Sequence, residues 1–123
     1  MKRNKVFAHG KIWLTDTDGE SIFGHGKYRL LTAIGTCGSI AEAAKKLSMS
    51  YRKAWGDVKV AEDGFGFPLL IRVRGGARGG KTELTDDAVE LLRWYETFDA
   101  AVQKDLLRHF SVFMKQFGTR GKA

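Results

Sequence analysis

The chain has 123 residues, 43% of them apolar, and a formal net charge of +7 with a pI near 9.7. That size holds one domain with a single core, and clustered Lys and Arg favour a polyanionic partner, because they release counterions when they meet phosphates. Cys37 is the single cysteine, which excludes an internal disulfide and suits a reducing, cytoplasmic compartment; the basic start, residues 1–5, leads into no long apolar run, so neither a signal peptide nor a membrane span is expected.

The stretch from Val6 to Thr15 alternates in part and is rich in β-formers, which predicts a strand. Asp16-Thr17-Asp18-Gly19-Glu20 is turn chemistry, and Ser21-Ile22-Phe23 returns as a short second strand. Gly24-His25-Gly26-Lys27 then leads into Tyr28, Leu30, Leu31 and Ile34 at helical spacing, a first helix ending near Gly35 to Gly38. Free N–H groups at a helix start attract anions, so Lys27 is assigned a phosphate contact; the bland alternative is an ordinary flexible joint.

Ser39 stands where an N-cap belongs, and Ile40, Ala43, Ala44 and Leu47 share one face of a second helix. Ser50 is a second N-cap only three residues after Leu47, the short turn that helix-turn-helix units use. The third helix is expected from Tyr51 to Glu62 or Asp63, with Ala54, Val58 and Ala61 facing the core and Trp55 at its margin. Tyr51, Arg52, Lys53, Gly56 and Lys59 are left outside. The first residues of a recognition helix point at base edges, which makes Tyr51, Arg52 and Lys53 the base or phosphate contacts.

Residues 70–84 read as two strands joined by a cationic, glycine-rich tip: Arg72, Arg74, Arg78 and Lys81, with no acid before Glu83. Glycine admits backbone conformations that suit such a tip, and arginine is favoured where a minor groove is narrow. A nucleotide-binding loop is the rival, but no G-x-x-x-x-G-K-[ST] followed by a helix can be read here. The whole is α+β, mainly α: a winged helix-turn-helix with an N-terminal β-hairpin and a long C-terminal helix.

That last helix is capped by Thr85, and Asp86 and Asp87 lie where the helix dipole favours acid. Leu84, Ala88, Leu91, Leu92, Tyr95, Phe98, Val102, Leu106, Phe110, Phe113 and Phe117 keep a three-to-four spacing. A helix from Thr85 to Phe117 spans about 50 Å at 1.5 Å per residue, longer than so small a domain covers. A second copy is the simplest cover, through Leu91, Tyr95, Phe98, Val102, Leu106, Phe110 and Phe113, extended by Leu107 and Met114; the alternative is a break near His109 to Ser111 and a fold-back. The winged module is assigned to residues 1–84, the dimerisation helix to 85–117 of the same domain, and a disordered tail to 118–123.

Gly38-Ser39-Ile40 with Ala43-Ala44, then Met49-Ser50-Tyr51-Arg52-Lys53-Ala54-Trp55, then Gly75-Gly76-Ala77-Arg78-Gly79-Gly80 and Leu84-Thr85, resemble the N-terminal DNA-binding domain of ModE-type molybdate-responsive transcriptional regulators. The likeness covers residues 22 to 95; the helix-turn-helix alone also resembles LysR-type regulators. It implies a recognition helix in the major groove and a wing on adjacent backbone, carried here to Ser50, Tyr51, Arg52, Lys53, Arg74, Arg78 and Lys81. Full-length members bind molybdate or tungstate in C-terminal domains, and little sequence follows the long helix, so neither oxyanion is expected to bind this chain directly. By resemblance, the governed genes concern molybdenum or tungsten handling.

Catalysis is not expected. His9, His25 and His109 are scattered, none with a Cys or carboxylate at metal-ligand spacing, so neither metal nor cofactor is assigned. The expected function is a sequence-specific regulator that binds double-stranded DNA as a homodimer. The alternative is a winged-helix adaptor that docks a protein through the surface from Tyr28 to Cys37 or through the long helix.

Overall fold

The computed structural model describes residues 5–75 and 80–118. In chain order these form β1 (Trp13–Thr15), β2 (Ser21–Gly24), α1 (His25–Cys37), α2 (Ile40–Lys46), α3 (Tyr51–Phe65), β3 (Leu70–Val73), β4 (Lys81–Leu84) and α4 (Asp86–Phe117). The chain divides into two compact units: one runs from Ile12 to Tyr95, and the other joins the segment up to Lys11 with the chain from Glu96 onward.

In the first unit, β1 and β2 pair antiparallel around a turn held by Asp16, whose Oδ1 accepts the N–H groups of Asp18 and Glu20, both at 2.9 Å. Gly19 takes the positive φ of 84° that the reversal needs. Helix α1 is the hub, touching β2, α2, α3 and β4. Its Leu30, Leu31 and Ile34 are buried with Phe23 and Leu69, and each such side chain contributes about 1.5–3 kcal/mol by leaving water. The Phe23 ring meets Tyr95 edge-on at 5.1 Å and Phe65 at 5.9 Å. Gly38 closes α1 in the left-handed conformation, its N–H bonded to the Ile34 carbonyl.

Helix α3 runs two or three residues beyond the expected end at Glu62 or Asp63, to Phe65, before Gly66 caps it at φ 83°. Gly64 lets this last part of α3 pack close to β2, because a Cβ there would lie 2.6 Å from Ile22 Cγ2. The wing strands pair antiparallel in the register Leu70↔Leu84 to Val73↔Lys81. The Thr82 N–H donates to the Gly38 carbonyl at 2.8 Å and ties the wing to the α1–α2 corner. Residues 76–79, with Arg78 and most of the expected tip, lie outside the described residues, as does the expected tail from residue 119.

The long strand expected from Val6 shrinks to Trp13–Thr15 in the first unit, and the described residues of the second unit from Lys5 to Lys11 form no strand. That segment has a different partner. Gln103 Nε2 donates to the Gly10 carbonyl at 2.8 Å and to Asp99 Oδ1 at 3.2 Å, and a Cβ on Gly10 would stand 2.5 Å from Leu106 Cδ1. Helix α4 is continuous through His109 to Ser111, so it does not fold back there.

Candidate nucleic-acid interface

The turn between α2 and α3 is built from two serine caps. Ser39 Oγ accepts the Glu42 N–H at 3.1 Å, and Ser50 Oγ accepts the Lys53 N–H at 3.0 Å; each satisfies a donor that a helix start leaves free. The Met49 N–H donates to the Ala44 carbonyl at 2.9 Å, and Ser48 completes the reversal at φ 56°. Ser50, assigned to DNA contact from the sequence, thus first sets the start of α3.

On α3 the inner face is Ala54, Val58 and Ala61, all buried. Tyr51, Arg52, Lys53 and Lys59 are exposed, as is Trp55 at 52%. Lys53 Nζ lies 3.0 Å from Asp57 Oδ2, and Lys59 Nζ 3.6 Å from Asp63 Oδ1. Both ammonium groups are exposed, though Asp57 is half-buried, and pairs at the surface contribute little, so each lysine can exchange its carboxylate for a phosphate at small cost. Asp57 and Asp63 are absent from the expected contact set, although their i,i+4 spacing from each lysine marks them.

Two grooves flank α3. Tyr51, Arg72, Thr82 and Ile40 line the wing side, while Lys27, Arg29, Lys53 and Asp57 line the other together with Gly26. Lys27 is therefore brought beside the recognition helix by its place in α1. Arg29 joins it there and was missed, since only its position one helical step outward from the buried Leu30 could have shown it. On the wing, Arg72 and Arg74 are exposed, whereas Lys81 Nζ sits 3.3 Å from Glu83 Oε1.

The residues expected on the dimer stripe separate into two sets. Tyr95 is a correction: it is 5% exposed, its ring against Phe23 and Tyr28, and its Oη donates to the Ile12 carbonyl at 3.1 Å. A ring buried this way belongs to the core of its own unit. Leu91 is half-buried against the same core. Further along, Val102, Leu106 and Phe110 are half-buried, and Phe98 and Phe113 are exposed. Among the described residues there is no cluster of His, Cys, Asp or Glu able to hold a metal, and no helix is long and apolar enough to cross a membrane.

A Ser-capped helix pair, a two-stranded wing and a cationic outer face define a winged helix-turn-helix module. Residues 26–89, just over half of the chain, match the bacterial regulatory helix-turn-helix proteins of the lysR family, and the chain belongs to that family. It is 37% identical over 93 residues to the molybdenum transport protein ModE of Azotobacter vinelandii, covering 76% of this chain and 34% of that protein. It is 41% identical over 73 residues to the transcriptional regulator ModE of Haemophilus influenzae, covering 59% of this chain and 29% of the other. The chain thus spans about a third of the length of these curated relatives. Among solved structures, the DNA-binding domain in the CbnR_DBD–DNA complex aligns at a TM-score of 0.55 and 23% identity, over 71% of this chain and 94% of that one; the likeness is one of fold.

Proposed function

We propose that the chain is a sequence-specific transcriptional regulator of double-stranded DNA, with α3 in the major groove and the β3–β4 wing on adjacent backbone or minor groove. One observation carries the reading. Tyr51, Arg52 and Lys53 stand exposed together at the start of a helix whose opposite face is buried, and Tyr51 shares a groove with Arg72 of the wing. Ser50 at the start of α3, Tyr51, Arg52, Lys53 and Lys59 on it, Arg72, Arg74 and Lys81 at the wing, Lys27 on α1, and Arg78, outside the described residues, are the contact set. The names of the relatives point to molybdenum handling as the regulated process. Molybdate and tungstate are not assigned to this chain, and a regulator of this kind works in the bacterial cytoplasm as a homodimer.

The test is selection of bound fragments from genomic DNA, with and without molybdate and tungstate, followed by the Arg52→Ala and Lys53→Ala variants. A lost base contact weakens operator binding by about 1–3 kcal/mol, and a lost phosphate contact lowers the salt slope by about 1. Operator affinity that survives both substitutions unchanged removes α3 from the interface and leaves the adaptor reading standing. Oxyanion-dependent binding by the isolated chain overturns the statement about molybdate.

A further inference from the structure

Gly56 lies in the middle of α3, where glycine lowers the folding equilibrium about fivefold relative to alanine. Elsewhere in the winged unit, glycines at close approaches have internal reasons. A Cβ on Gly64 would strike Ile22 at 2.6 Å, one on Gly35 would reach Leu84 Cδ1 at 2.9 Å, and one on Gly24 would touch Trp13 Cβ at 3.0 Å. A Cβ on Gly56 would meet nothing within 4 Å, and the residue has no positive φ. Neither a neighbouring atom nor the backbone angle requires glycine there, and the same holds for Gly26 in the first turn of α1, but Gly56 alone of the two lies on α3.

The neighbours of Gly56 on the helix surface, three and four residues away, are Arg52, Lys53, Lys59 and Val60. All four are exposed. Gly56, itself half-buried, is therefore flanked on the face opposite Ala54, Val58 and Ala61 by Arg52 and by two lysines, Lys53 paired with Asp57 and Lys59 with Asp63. A glycine that weakens its own helix and leaves a notch among cations fits a requirement of a complex, since glycine is used where another surface must approach the main chain closely.

We propose that Gly56 is the seat of α3 on DNA: the helix backbone rests there against base-pair edges, while Arg52 and Lys59, one turn to either side, reach bases or phosphates. The proposal rests on the DNA-binding reading above and deepens it. The mark of such a residue is that stability and binding respond to Gly56→Ala in opposite directions.

The experiment compares the full chain and its Gly56→Ala variant by thermal unfolding and by titration with a selected operator and a scrambled duplex. Expected are a melting temperature higher by about 4 °C and an operator affinity weaker by about tenfold or more, with binding to the scrambled duplex nearly unchanged. Operator affinity that is equal or tighter in the variant overturns the proposal, and so does a lower melting temperature, which would give the glycine an internal role. Should the unsubstituted chain fail to prefer its selected operator, the DNA-binding reading itself falls, and the two failures are told apart by that control.

Discussion

The Glu62 carboxylate accepts the Leu69 N–H at 2.7 Å, and this bond holds the chain where α3 passes into the wing. Leu69 is fully buried, so its amide loses a charged acceptor if Glu62 is truncated, at a cost of about 2 kcal/mol. Glu62→Ala is expected to lower the urea midpoint followed by circular dichroism, and Glu62→Gln, which keeps a carbonyl acceptor, to lose roughly half as much. A midpoint unmoved by Glu62→Ala would mean the bond is not formed in solution. Tyr95 poses a smaller version of the question. Its ring packs against Phe23 and Tyr28, and its hydroxyl donates to the Ile12 carbonyl, so Tyr95→Phe removes that bond and is expected to cost about 1 kcal/mol. A loss several times larger in the same denaturation experiment would show that the hydroxyl carries more than this bond.

Helices α2 and α3 depend on caps that act over three residues, and that locality is why they are legible in the sequence. Ser39, Ser50 and the alternation of buried alanines with exposed cations are all contained within one or two turns. Ser50→Ala removes the acceptor of the Lys53 N–H and is expected to cost about 1 kcal/mol of stability, while loosening the turn that aims Tyr51 and Arg52; operator affinity should fall with it. If stability drops and affinity does not, the start of α3 is positioned by packing alone. Elements whose form depends on distant partners were misread for that reason. The segment before Trp13 has strand-like composition, yet its partner is Gln103, 93 residues after Gly10, and no local pattern announces it. The close packing of Gly64 on Ile22 at the end of α3 is again a long-range fact. The helical stripe of α4 was correctly periodic, but periodicity says only that a face is covered, and Tyr95 is covered by its own unit.

From Glu96 onward the chain leaves several large apolar side chains exposed. Leu107 is 60% exposed, Phe113 54% and Phe117 53%, and the last two rings stack at 5.4 Å. Burying a side chain of this class contributes about 1.5–3 kcal/mol, and contiguous exposed apolar patches mark interaction surfaces. Twofold pairing through this stretch would also present two recognition helices to half-sites about 34 Å apart or a multiple of that distance. Leu107→Glu with Phe113→Glu places two charges in the pairing surface, leaving α3 and the wing unaltered. Expected is a shift from dimer to monomer in sedimentation velocity, with binding to paired half-sites falling far more than binding to a single half-site, because linked sites convert the second contact into an intramolecular one. Equal losses on single and paired half-sites would place the damage in the winged unit, and an unsubstituted chain that sediments as a monomer at micromolar concentration would end the dimer assignment.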